Sequence, residues 1–256
     1  SDDNNLTFDG DDDFVDIKNV TSAGSNWTFN IWAQLDSGNG SGWKTIYDQK
    51  HGSGNSTRTT IAMENGNFLM YDGDRQNSSY DITDSNWHMY TITQVGTTVK
   101  YYVDGNFINQ DTSSNGHILG GQDAMLGRNF GLSGGNIWEE WDGGMDEMAI
   151  WNEALTADEI DAIYNYGKGL TLTSNVEDYT SKDNLMTYFR FNESTGTVIT
   201  DSSGNGNLGT ISDTAWSSDG IVTLDTGFTV SPDWEQNYMT DEAEVLLKDA
   251  SLKLWL

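Results

Sequence analysis

Three consecutive aspartates, Asp11-Asp12-Asp13, and the stretch Gly135-Asn136-Ile137-Trp138-Glu139-Glu140-Trp141-Asp142 gather the residue types best suited to chemistry in this chain. Calcium takes about six to eight hard oxygens, mixing carboxylates with main-chain carbonyls and waters, so acid-rich turns are where it would be held. A pyranose ring lays its apolar face on an indole or phenol, while its hydroxyls go to carboxylates and amides. Trp138 and Trp141, with Glu140 between them, meet that need, and Trp43 and Tyr71 are further rings set near loops. Arg75, Asn77 and Tyr80 lie close enough in sequence to Tyr71 to contribute. The plainer reading is that such rings cover sheet edges and that the acids form a solvated surface. Asp201, with Asn205 and Asn207, is a weaker cation candidate that lacks the spacing and distal Glu of an EF-hand loop.

Other chemistries find no residues to carry them. There is no cysteine, and His51, His88 and His117 are scattered, so no zinc set is visible. His88, between Trp87 and Met89, reads as a residue closing a core hydrogen bond. Neither a Gly-x-Ser-x-Gly elbow nor a phosphate-cradling Gly-Lys-Ser/Thr loop occurs. Asp146 and Glu147 are adjacent, so on a regular strand they point to opposite faces and cannot act as a pair. No catalytic residue is assigned, and the expectation is a protein that is not an enzyme.

These residues must be positioned by strands. Trp27, Phe29 and Ile31 alternate with Thr28, Asn30 and Trp32, the period of a strand buried on one face. Asn65-Gly66 and Asp104-Gly105 each join two apolar runs, the dipeptides a type I′ hairpin turn prefers. Met145, Glu147, Ala149 and Trp151 alternate with Asp146, Met148, Ile150 and Asn152, a strand with one wetter face. Thr156 and Glu159 then form a capping box, and Ile160, Ile163 and Tyr164 share a helical face that stops at Gly167. Many short strands, Gly-rich turns and one Pro describe an all-β antiparallel sandwich or jelly roll with a single short helix near 156–166. The charge is −28, with 40 acidic residues against 12 basic ones. A surface so acidic repels phosphate backbones and anionic bilayers, so no nucleic-acid partner is expected. No apolar run approaches the roughly 20 residues of a membrane-spanning helix, so no insertion is expected either. The start at Ser1 reads as a processed product or an excerpt.

Four ordered pieces resemble laminin-G-like jelly-roll domains of the concanavalin A-like lectin and glucanase superfamily. They are Phe8-Asp9-Gly10-Asp11-Asp12-Asp13-Phe14-Val15, Trp27-Thr28-Phe29-Asn30-Ile31-Trp32, Asn86-Trp87-His88 with Tyr101-Tyr102-Val103-Asp104-Gly105, and Gly144 to Ile160. The resemblance covers roughly residues 6–168. It implies calcium at the rim of the sandwich, held by Asp12 or Asp13 of the opening strand and Asp146 of the closing one. It also marks Trp27, Trp87 and Trp151 as structural, and the Glu-x-Asp-x-x-Glu of the superfamily's glycosidases is absent. The expected organisation is a laminin-G-like domain over 1–168, a linker over 169–184 and a smaller β unit over 185–256. A strand pair packed on the first sandwich is the alternative for that last part. Its closing Leu252-Lys253-Leu254-Trp255-Leu256 is an open edge or an ordinary strand.

The expected function is a non-catalytic, calcium-assisted carbohydrate-binding or adhesion module, extracellular or on a cell or virion surface, with a glycan as partner. The alternative is a structural virion or surface-layer protein whose jelly roll packs against copies of itself or other surface proteins. A lesser one is an accessory module of a polysaccharide-degrading enzyme.

Overall fold

The computed structural model describes residues 4–18, 20, 22–36, 42–51, 58–82, 84–113, 115–116, 119–130, 139–221 and 223–224. Its strands are β1 (Asn5–Asp9), β2 (Phe14–Lys18), β3 (Asn26–Leu35), β4 (Trp43–Lys50), β5 (Arg58–Glu64), β6 (Asn67–Tyr71), β7 (Arg75–Asp81), β8 (His88–Val95), β9 (Thr98–Val103), β10 (Asn106–Thr112), β11 (Ala124–Leu126), β12 (Asp142–Trp151), β13 (Leu185–Phe189), β14 (Val198–Thr200), β15 (Leu208–Ser212) and β16 (Ala215–Ser217). They form two eight-stranded antiparallel sheets. The first runs β10-β9-β8-β3-β12-β1-β16, with β13 also paired to β12; the second runs β14-β15-β2-β11-β4-β5-β6-β7. The helix α1 (Ala157–Tyr164) is capped by Thr156, with the reciprocal Glu159 contact, and a 3-10 turn over Asn165–Gly167 follows. The all-β sandwich with one short helix is thus the observed architecture.

Between the sheets lies one apolar core, to which Leu6, Phe8, Trp27, Phe29, Ile31, Met63, Phe68, Tyr101, Met145 and Ile150 contribute. Their period of two is what the alternation in β3 requires. A second cluster covers the outer face of the first sheet: Trp32, Met89, Tyr102, Ala149 and Trp151 pack under Ile160 and Ile163 of α1. β3 and β12 are consequently buried on both faces, and the wetter face expected of β12 is not wet. A bulge between Asp146 and Ala149, with Glu147 at φ +50°, shifts the alternation. It brings Met148 and Ile150 into the core and sends Ala149 and Trp151 outward.

Two boundaries differ from expectation. Residues 169–184 do not form a free linker, because Leu170, Leu172 and Tyr179 are buried in the outer cluster. Nor do the described residues from 185 form a second unit. β13 pairs with β12, β16 with β1 and β15 with β2, so they extend both sheets of the same sandwich. The apolar faces of these short strands are too small for a core of their own, and the open sheet edges offer them both pairing and burial. Residues 225–256, including Leu252–Leu256, lie outside the described residues.

Candidate functional site

Two places gather the residues singled out by sequence. The first is an acidic rim where β1 ends. Carboxylate oxygens of Asp9, Asp12 and Asp13 lie within 4.8 Å of one another. The Asp9 amide donates to Asp13 Oδ2 at 2.8 Å, and the Asp11 amide donates to Asp9 Oδ1 at 3.0 Å, so the turn folds back on its own acids. Asp13 is only 5% exposed. Burial, helped by the charges of Asp9, Asp12 and Asp213, pushes its pKa up to about 6 against the pull of the Asp9 amide. Glu140, also 5% exposed, leaves Oε1 buried without a partner. Burial raises its pKa, Arg128 opposes this, and Asp11, Asp12 and Asp9 add to it. Crowded carboxylates with unrelieved repulsion and a spare buried oxygen are a donor set suited to a hard divalent cation.

Asp146 is not part of that rim. β1 and β12 are indeed neighbours, but Asp9 stands opposite Asp142, and Asp146 is four residues farther along, roughly 13 Å at 3.3 Å per residue. Its side chain is fully buried: Oδ1 accepts from the Glu147 amide at 2.9 Å and Oδ2 from the Ile221 amide at 2.7 Å. The metal role expected for Asp146 therefore gives way to a structural one. Asp201 is similarly occupied, since its carboxylate accepts from the amides of Tyr188, Ser203 and Asn207 and from the Asn207 side chain.

The second place is the outer face of the second sheet. The Trp43 and Tyr71 rings meet edge to face, 6.3 Å between centroids at 84°. The Arg75 guanidinium lies 5.6 Å from the Trp43 ring centroid and pairs with Glu64 at 2.7 Å. Next along the sheet, Asp48 is fully buried. It takes both hydrogen bonds of a forked Arg58 contact (3.0 and 2.6 Å), the Thr60 hydroxyl at 2.6 Å and the Phe130 amide at 2.9 Å. Glu139 joins the two parts. Its carbonyl accepts from the Thr45 amide at 2.8 Å, and its carboxylate accepts from the Asn129 side chain. Burial raises its pKa, while Arg58, Asn129 and Arg75 draw it down and Asp48 adds to the rise. The result is a pair of half-buried rings flanked by charged groups whose positions are fixed by partners.

Among the described residues, the predicted ligand residues that come together are Trp43 and Tyr71. Trp141 is buried at 0% exposure with its amide bonded to the Gly127 carbonyl (2.7 Å), so it offers no ring face to a sugar. Glu140 belongs to the acidic rim, and Trp138 lies outside the described residues. Sequence reading missed Asp48, Arg58 and Asn129, while Glu139 stood within the stretch it singled out. They come from separate stretches of chain, brought together by the β4–β5 pairing and by the bonds of Phe130 to Asp48 and of Asn129 to Glu139.

Two antiparallel sheets with an aromatic, charge-lined outer face and an acidic rim define a lectin-like sandwich. A family model described as the concanavalin A-like lectin/glucanases superfamily matches residues 9–161, and the chain belongs to that family. No curated protein sequence matches the chain. Among solved structures, a Bacteroides ovatus protein to which carbohydrate binding has been ascribed is similar, with a TM-score of 0.63 and 16% identity. The match covers 87% of this chain and 61% of that one, so the chain spans about three-fifths of that protein's length. The heptameric SAP-like pentraxin from Limulus polyphemus has a TM-score of 0.54 and 14% identity over 82% of this chain and 96% of its own. At such identities the likeness is one of fold.

Proposed function

We propose that this chain is a non-catalytic carbohydrate-binding module of an extracellular or particle-surface assembly, with calcium bound at its rim. The observation that carries this is the Trp43–Tyr71 pair with Arg75 and Glu139 beside it on the outer face of the second sheet. A pyranose stacks on one ring, while the guanidinium donates to its hydroxyls and the carboxylate accepts from them. Recognition is favoured over hydrolysis because the acids of this face are engaged: Asp48 by Arg58, Glu64 by Arg75, and Glu139 by Asn129. A glycosidase needs two carboxylates free to meet across the bond. The likeness in fold to a protein with ascribed carbohydrate binding supports the same reading.

Asp9, Asp12 and Asp13 would hold the calcium ion, which supplies the positive charge their crowding lacks and stiffens the turn between the sheets. The test is a glycan array followed by calorimetry on the best hit. Trp43→Ala loses at least tenfold in affinity, the worth of a stacked ring with its cation, and leaves the melting temperature within a few degrees. Asp13→Asn removes the rise in melting temperature that calcium gives the native protein. Glycan binding untouched by Trp43→Ala would refute the proposed face, and identical melting in calcium and in chelator would refute the metal.

A further inference from the structure

The last strands are joined to the sandwich by a loop under strain. Residues 190–197 lead out of β13 in the first sheet and across to β14 in the second. Within this loop Phe191 (φ 52°) and Ser194 (φ 60°) hold the left-handed conformation without being glycine. The Asn192 side chain has both polar atoms buried without a partner, and so does one carboxylate oxygen of Glu193. An extended loop in water would bear none of these costs.

What the loop delivers is added at sheet edges. β14 is the last strand of the second sheet and β16 the last of the first, while β15 pairs with β2. Ile199 and Ile211 fill the core, and Trp216 packs against it. The rest of the sandwich therefore needs these strands, but nothing in their pairing requires that they come from the same chain.

We propose that residues 198–224 are exchanged between copies, so that β14–β16 of a second copy of this chain complete this sandwich. With Phe191 kept in the core, the six residues 192–197 straightened span about 20 Å, enough to pass between adjacent bodies. Strand register and core packing are the same in either arrangement. Opening the loop relieves its strain and gives up its own bonds to these strands, from the Thr200 amide to Glu193 Oε1, the Ile211 amide to the Thr197 carbonyl and the Trp216 indole to the Gly196 carbonyl. A segment tethered to its own body acts at an effective concentration on the order of 1 mM, so exchange emerges near that concentration or where an array holds copies together.

The chain has no cysteine, so introduced ones report cleanly. Thr7 and Ala215 face each other across β1 and β16, at a separation a disulfide can bridge. Thr7→Cys and Ala215→Cys chains with different tags are unfolded together, refolded at about 10 µM and about 1 mM, and oxidised. The expected product is a disulfide between the two differently tagged chains, its share rising at least tenfold with concentration. Ser194→Gly, which relieves the loop, lowers that share several-fold. Absence of the mixed disulfide at 1 mM, with the double variant closing within every chain, overturns the proposal. Should either variant fail to refold, Lys18→Cys with Leu208→Cys repeats the test on the other sheet, where those residues are also opposite.

Discussion

His88 shows how a single residue is fixed by its surroundings rather than by its neighbours in sequence. Its Nδ1 meets Asp104 at 2.7 Å and its Nε2 meets Asp84 at 2.9 Å. Burial works against the imidazolium, but the carboxylates of Asp104 and Asp84 prevail, and its pKa rises to about 9. Because the folded pKa lies above the unfolded one, this contribution is complete below about pH 6.5 and is lost as pH climbs through 9. The contribution is about 2 kcal/mol after allowing for the partial exposure of Asp84, or roughly 4–8 °C of melting temperature in a chain of this size. Melting curves of native protein and His88→Gln from pH 6 to 9.5 should converge; parallel curves would mean that His88 stays neutral. The sequence marked this histidine as a hydrogen-bonding residue, but its second acidic partner, sixteen residues on, was out of sight. Asp146 is the converse case: the carboxylate looked like a ligand, and only Ile221, seventy-five residues away, reveals it as an anchor.

At the scale of elements, what local physics dictates was legible and what register dictates was not. Asn65-Gly66 and Asp104-Gly105 turn with both residues at positive φ, as their composition requires. The capping box also forms as read, with the Thr156 hydroxyl accepting from the Glu159 amide at 3.2 Å and Glu159 returning to the Thr156 amide at 3.0 Å. The bulge in β12 was invisible, because nothing in Asp146-Glu147-Met148 announces an extra residue. It places Asp146 level with Trp32 of the outer cluster while Glu147 accepts from the Tyr188 hydroxyl, so two adjacent acids share a face despite the regular rule. Glu159 also does more than cap, taking donors from Thr180 and Ser181 that tie residues 180–181 to α1. Thr156→Ala should therefore cost about 1 kcal/mol, the worth of an N-cap. Glu159→Ala should cost about 2–3 kcal/mol, since it also strands those hydroxyls. Denaturant titration of the two variants separates these outcomes, and equal losses would show that the 180–181 contacts contribute nothing.

For the whole molecule, the family pattern ends near residue 161 while the sandwich does not. The opening and closing strands were recognisable, yet the edges they leave are filled by residues 185–217, whose short strands signalled only that they were strands. Residues beyond 168 also supply Leu170, Leu172, Tyr179, Leu185, Tyr188 and Ile221 to the outer cluster, and Arg190 to Glu147. Cutting the chain after residue 168 would strip Leu170, Leu172, Tyr179, Leu185 and Tyr188 from this cluster and leave Trp32, Met89 and Trp151 covered by α1 alone. It would also leave Glu147 without Arg190 and Tyr188, and a buried carboxylate stripped of its partners costs about 3–5 kcal/mol. Against a total stability of about 5–15 kcal/mol, that loss together with the apolar burial given up in both clusters removes most of what holds the sandwich. A fragment ending at 168 should therefore show no cooperative thermal transition and should bind a hydrophobic dye, whereas one ending at 224 should melt as the full chain does. A cooperative melt of the shorter fragment near the full-length temperature would mean that the edge strands decorate a sandwich already complete without them.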